Sequence, residues 1–212
     1  MKQTPRFAPT HFYFPIFYLL FLLSQNLQAQ FVTNGSAGSS GAGCYALTQN
    51  AGNQAGSILS TSTVNLAQSF METATLNFGT NDANGADGIV FIFATSNGVV
   101  GGTGENIGYG GIVPSLTIEM DTWQNGNQGD PAADHMAITS GGSVSHIGPT
   151  NLAGPISLPN IEDGNDHCFA VSWDPASQTL SGSLDGNTVI YVGDITGILG
   201  RSVVYWGCTA ST

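Results

Sequence analysis

The chain is a series of short apolar runs cut apart by glycine-rich turns, and no stretch keeps a helical repeat for more than a turn or two. That pattern limits the fold more than any single motif does. With 29 Gly in 212 residues, long helices would carry a heavy backbone-entropy cost. The abundant Thr, Ser, Val and Ile suit pleated strands instead. Gly88-Ile89-Val90-Phe91-Ile92-Phe93-Ala94-Thr95 is apolar without clean alternation, which predicts a central strand covered on both faces. Further strands are expected at 74–78, 116–122, 135–139, 167–173, 179–184, 188–192 and 202–206. Asp174-Pro175-Ala176-Ser177 and Asp185-Gly186 supply turns between the later ones. Short antiparallel strands with such turns predict an all-β fold, a two-sheet antiparallel sandwich. No repeat of 20 to 50 residues is visible, which argues against a propeller or solenoid.

The ends of the chain read differently. Lys2 and Arg6 precede an apolar, aromatic stretch at 12–23 and a short polar segment ending at Ala29. This is the layout of an export signal, with the mature chain expected to begin near Gln30. Residues 1–29 are therefore read as a signal peptide, 30–43 as a flexible Gly/Ser-rich lead, and 44–212 as the sandwich domain. Most of 30–56 is expected to be loose, with one short strand at 44–48. No later stretch has the character of a membrane span. The expected location is secreted, periplasmic or cell-surface.

Charge narrows the partners. Past the signal, Arg201 is the only Lys or Arg, against 14 Asp plus Glu. A field of that sign repels nucleic acid and anionic membrane, and suits a protein that holds divalent cations. Cys44, Cys168 and Cys208 leave three pairings open, and no CxxC pair exists to make a thiolate metal or redox centre. No feature indicates an oligomer.

One segment carries chemistry: Glu119-Met120-Asp121-Thr122-Trp123-Gln124-Asn125, followed by Asp130-Pro131 and Asp134-His135. Glu119 and Asp121 lie two apart on an expected strand and so face the same side. The preceding residues are largely apolar, so two like charges there lose hydration and repel. A divalent cation removes both penalties. Glu119, Asp121, Asp130 and His135 make a mixed oxygen and nitrogen donor set, better suited to manganese or zinc than to calcium. Asp121, Asn125, Asp130 and a backbone carbonyl near Trp123 make an all-oxygen set suited to calcium.

This segment resembles, in residue type and spacing, the metal-binding signature of the legume-type (L-type) lectins, and the bacterial branch of that family most of all. Ala86-Asp87-Gly88-Ile89-Val90-Phe91 resembles the family's sugar-binding Ala-Asp-Gly element. Ile107-Gly108-Tyr109-Gly110-Gly111-Ile112, Trp173-Asp174, Asp185-Gly186 and Tyr205-Trp206-Gly207 resemble other parts of the same domain. The similarity covers about 44–212. It implies a concanavalin A-like jelly roll. It implies a transition ion, usually manganese, on Glu119, Asp121, Asp130 and His135, and calcium on Asp121, the Trp123 carbonyl, Asn125 and Asp130. It also implies a sugar site: Asp87 accepts from two hydroxyls, Asn125 donates its amide, and Trp123 lies near as an apolar platform. The Ala86–Asp87 peptide is expected to be cis. Where the family places a glycine whose N–H meets the sugar, this chain has Glu105, with Gly104 one step away. The family domain also continues with one more strand, so 44–212 is expected to be C-terminally incomplete.

The expected function is calcium-dependent carbohydrate binding, with glycans or glycoconjugates as partners, and no enzyme activity. A sandwich glycoside hydrolase of the Glu-x-Asp-x-x-Glu kind needs a second glutamate where this chain has Gln124, and an amide cannot protonate a leaving group. Ser145-His146 lacks a nucleophile elbow. A surface adhesion or structural module whose metals serve only the fold is the remaining alternative.

Overall fold

A computed structural model describes residues 30–212; the expected signal peptide lies outside the described residues. Fourteen strands run in chain order. The first six are β1 (Phe31–Gly35), β2 (Gly38–Gly41), β3 (Cys44–Ala46), β4 (Ala55–Ser60), β5 (Val64–Asn65) and β6 (Phe70–Leu76). Next come β7 (Gly88–Ala94), β8 (Ser115–Asp121), β9 (His135–Ser140) and β10 (Asn151–Ser157). The last are β11 (His167–Asp174), β12 (Thr179–Leu184), β13 (Asn187–Val192) and β14 (Val203–Ser211), with one short helix, α1 (Ile195–Leu199), before the final strand. The larger sheet runs β1-β4-β14-β7-β8-β9-β10, with β5 joined to β14; the smaller runs β13-β12-β11-β6; β2 and β3 form a separate hairpin. Every pairing is antiparallel. This is the all-β sandwich expected from the sequence.

The pleat explains why β7 is apolar on both faces. Phe91 and Phe93 enter the core between the sheets, where they meet residues such as Phe70, Phe169, Val171 and Leu180. Val90, Ile92 and Ala94 face the other way, into a second cluster with Leu59, Ile107, Tyr109 and Ile112. The loop before β8 thus covers the outer face of the large sheet, and β7 has no solvent side. On β8 the same alternation buries Leu116, Ile118 and Met120 in the main core. It leaves Glu119 and Asp121 on the opposite face, 1% and 4% exposed. Burying two carboxylates so fully costs far more than a surface acid would, unless cations or hydrogen bonds compensate.

Three expectations change. The segment read as loose, including the lead at 30–43, carries β1 and β2 besides the expected short strand at 44–48, which is β3, and β1 runs in register against β4 from Phe31↔Ser60 to Gly35↔Gly56. The last strand runs past the expected 202–206: Cys208 to Ser211 continue β14 between β4 and β7. Their small side chains read as a loop in sequence, but at the centre of a sheet small residues fit between close neighbours. The strand β10 has no counterpart in the expectation, because its Ala153-Gly154-Pro155 interrupts the pattern. The three cysteines are free, and burial pushes the Cys208 thiol up to about 12. Among the described residues, no helix is long and apolar enough to cross a membrane.

Candidate functional site

The end of β8, the loop after it and the start of β9 bring four expected ligands together. Asp121 pairs with His135 across β8 and β9, and with Gly88 across β7 and β8. His135 Nε2 lies 3.8 Å from Asp121 Oδ2 and 3.9 Å from Asp130 Oδ1. One ligand atom each from Asp121, Asp130 and His135 fall within 4.8 Å of one another, as do those of Glu119, His135 and His146. The other oxygens of the two aspartates face the loop: Asp121 Oδ1 accepts from the Trp123 N–H at 2.7 Å, and Asp130 Oδ2 accepts from the Asn125 N–H at 2.6 Å. Each aspartate therefore presents one oxygen toward His135 and one toward the 123–125 backbone.

The donors fit a cation. Asp130 Oδ1, His135 Nε2 and His146 Nδ1 are buried without a hydrogen-bond partner, although the first and last lie 2.9 Å apart. Burial pushes Asp121 up to about 9, with Glu119, Asp130 and Asp87 adding repulsion against the opposing pull of the Trp123 amide. Burial lowers His135, more than the neighbouring Glu119 and Asp130 raise it. A neutral imidazole among crowded carboxylates is the state a divalent ion requires.

Two residues here were not foreseen. Tyr109 is fully buried beneath the large sheet and donates its hydroxyl to Glu119 Oε2, which orients that carboxylate. His146 contacts Glu119 Oε1 with its Nε2, and its side chain is 1% exposed. Its loop is held over the ligand loop by the His146 N–H, which donates to the Gln128 carbonyl at 2.8 Å. The only sequence signal for His146 was its rarity, as one of 4 histidines in a strongly acidic chain.

Asp87 sits beside this cluster, 4% exposed. Its peptide bond to Ala86 is cis, as the resemblance implies. Its N–H donates to the Ser211 carbonyl at 3.0 Å, and its carbonyl accepts from the Thr122 N–H at 3.0 Å. Asp87 is thus stitched between the end of β14 and the first residue of the ligand loop. Gly88 follows at φ +135°, and a Cβ there would stand 2.2 Å from the Met120 carbonyl oxygen, so only glycine lets β7 approach β8 this closely. The Ser211 hydroxyl donates to the Gly104 carbonyl at 2.6 Å, tying the 104–106 turn to the same place. Burial raises the Asp87 carboxyl, Ser211 opposes, and the nearby charge of Glu105 adds to the rise. Trp123 is 41% exposed, an unusual position for so large a ring. Gln124 is exposed and reaches only the Asp130 carbonyl, at 3.5 Å.

Glu162 is buried nearby, with one carboxylate oxygen lacking a partner. Burial raises it to about 7, with Asp134 and Asp82 adding and the Thr122 hydroxyl opposing. An acid whose folded value is raised ionises more easily when unfolded, so the folded state loses stability as pH rises from 4.5 to about 7. Glu162→Gln should remove that loss. Thermal melts of both proteins at pH 5 and pH 8 check it: the variant's advantage should appear only at pH 8, and equal slopes would refute it.

The family model described as the legume lectin β-barrel domain matches residues 23–212. The serine-rich adhesin for platelets of Staphylococcus aureus (strain MRSA252) is 28% identical over 186 residues, covering 79% of this chain but 14% of that protein. The chain therefore spans a small part of the curated relatives it matches. Among solved structures, a Bauhinia forficata lectin in complex with GalNAc superposes with a TM-score of 0.74 at 20% identity, covering 89% of this chain and 88% of that one. Peanut lectin superposes with a TM-score of 0.72 at 24% identity, covering 89% and 85%. At these identities the two structures establish the concanavalin A-like sandwich fold.

Proposed function

The chain belongs to the legume lectin (L-type) domain family, and from that premise we propose that it binds carbohydrate in a calcium-dependent manner. As a lectin-type domain it is non-catalytic. The observation that carries the reading is the seating of Asp87: a buried carboxylate bonded through its backbone to the first residue after Asp121, beside an exposed Trp123. Calcium on Asp121, the Trp123 carbonyl, Asn125 and Asp130 would fix the Asn125 oxygen and leave its amide free to donate. Asp87 then offers acceptors to two sugar hydroxyls, Trp123 offers an apolar surface to a C–H face, and the Gly104 turn closes the rim. A transition ion on Glu119, Asp121, Asp130 and His135 would hold the loop in shape.

The same reading places the chain in the bacterial branch, exported after removal of residues 1–29, and secreted, periplasmic or on the cell surface. The match to a staphylococcal adhesin supports the branch, and it also favours a second reading, adhesion in which the metals serve only the fold. A glycan array separates the two. Probed with calcium and manganese present, the domain should bind a restricted set of glycans and lose them in chelator. A silent array with a metal-loaded, folded domain would favour the second reading.

A further inference from the structure

We propose that the transition-ion site takes two imidazoles, His135 and His146, and that the second makes it a zinc-type centre instead of a manganese one. The inference rests on the reading that this cluster holds a metal. His135 belongs to both groups of convergent ligand atoms, Glu119–His135–His146 and Asp121–Asp130–His135, so the two groups adjoin at its ring. His146, from the loop between β9 and β10, lies between Glu119 and Asp130, its Nε2 on the first and its Nδ1 2.9 Å from Oδ1 of the second. Its side chain and those of Glu119, Asp130 and His135 are all 1% exposed. The unpartnered Nδ1 of His146 and Nε2 of His135 are thus sealed from water beside the unpartnered Asp130 Oδ1. The backbone bond to Gln128 and the Asn151 amide, which donates to the His146 carbonyl at 3.2 Å, hold the ring there.

Donor chemistry gives the consequence. Carboxylates and water suit manganese, whereas imidazole suits zinc, copper and nickel. Any such site binds zinc above manganese to some degree. The share owed to His146 is therefore a ratio between two proteins, not a single affinity.

The test is competitive dialysis of the parent and His146→Ser against equimolar Zn²⁺ and Mn²⁺ with saturating calcium, reading bound metals by mass spectrometry. The expected result is a fall of about tenfold or more in the zinc-to-manganese ratio of the variant, through loss of zinc. An unchanged ratio overturns the role of His146 alone. A parent that binds neither ion overturns the metal reading beneath it as well. Copper on the parent needs no variant: its electron paramagnetic resonance should show hyperfine splitting from two imidazole nitrogens. A pattern from one nitrogen, with His146 left as a counter-charge to Glu119 and Asp130, would equally overturn the proposal.

Discussion

Asp121→Asn should abolish the gain in melting temperature that calcium and a transition ion give the parent, while hardly moving the melt of the chelated protein. The asymmetry follows from the environment of the carboxyl. Without a cation, burial and three neighbouring acids push Asp121 up to about 9, so at neutral pH it is already a neutral acid that an amide imitates. With cations bound it would be an anion shared between two sites, since one of its oxygens lies toward His135 and the other toward the Trp123 N–H. An amide supplies neither the charge nor the second acceptor. Losing one charge from a buried, paired set costs roughly 3 kcal/mol, or a factor of more than 100 in metal affinity. At a ligand concentration 100 times the parent's dissociation constant, the parent gains about 2.7 kcal/mol and the variant keeps only about 0.3 kcal/mol of it. Melts of parent and variant, each with metals and with chelator, check this. A variant with the parent's full metal-dependent shift would contradict it.

Asp87→Asn should do the reverse, sparing the metals and removing the sugar. Asp87 is outside both groups of convergent metal ligands, and its backbone bonds to Ser211 and Thr122 survive the change. The amide also relieves the burial penalty that raises the Asp87 carboxyl, so the fold should be as stable or more so. The sugar hydroxyls lose two charge-assisted bonds, each worth about 1.5–3 kcal/mol, so affinity should fall by at least about 100-fold. Calorimetry with calcium and with a glycan identified on the array measures both halves. A variant that binds that glycan as the parent does would show that Asp87 is not in the site.

The parts legible in the sequence are those in which local pattern and tertiary role coincide. The β7 run is apolar at every position because two separate clusters cover it, and that reads directly as a central strand. Glu119 and Asp121 are two apart on β8, so the pleat alone puts them on one face. His135 stands across from Asp121 because β9 begins with it. The parts that escaped depend on contacts between distant segments. His146 and Tyr109 reach Glu119 from loops whose glycines and serines carry no periodicity. The β1 strand, Phe31-Val32-Thr33-Asn34-Gly35, is too short and mixed to show a pattern, and is a strand because β4 offers it an edge. The residues from Cys208 to Ser211 are small because β14 passes between two close neighbours, and small polar residues look the same in a loop.

If one calcium-held site binds sugar, binding must come and go with calcium, and reversible chelation reads that dependence. A glycan found on the array is titrated into the parent domain three times in one calorimeter: with calcium, after chelation, and after calcium is restored. Heat of binding is expected in the first and third titrations and none in the second. Equal binding in all three would contradict it.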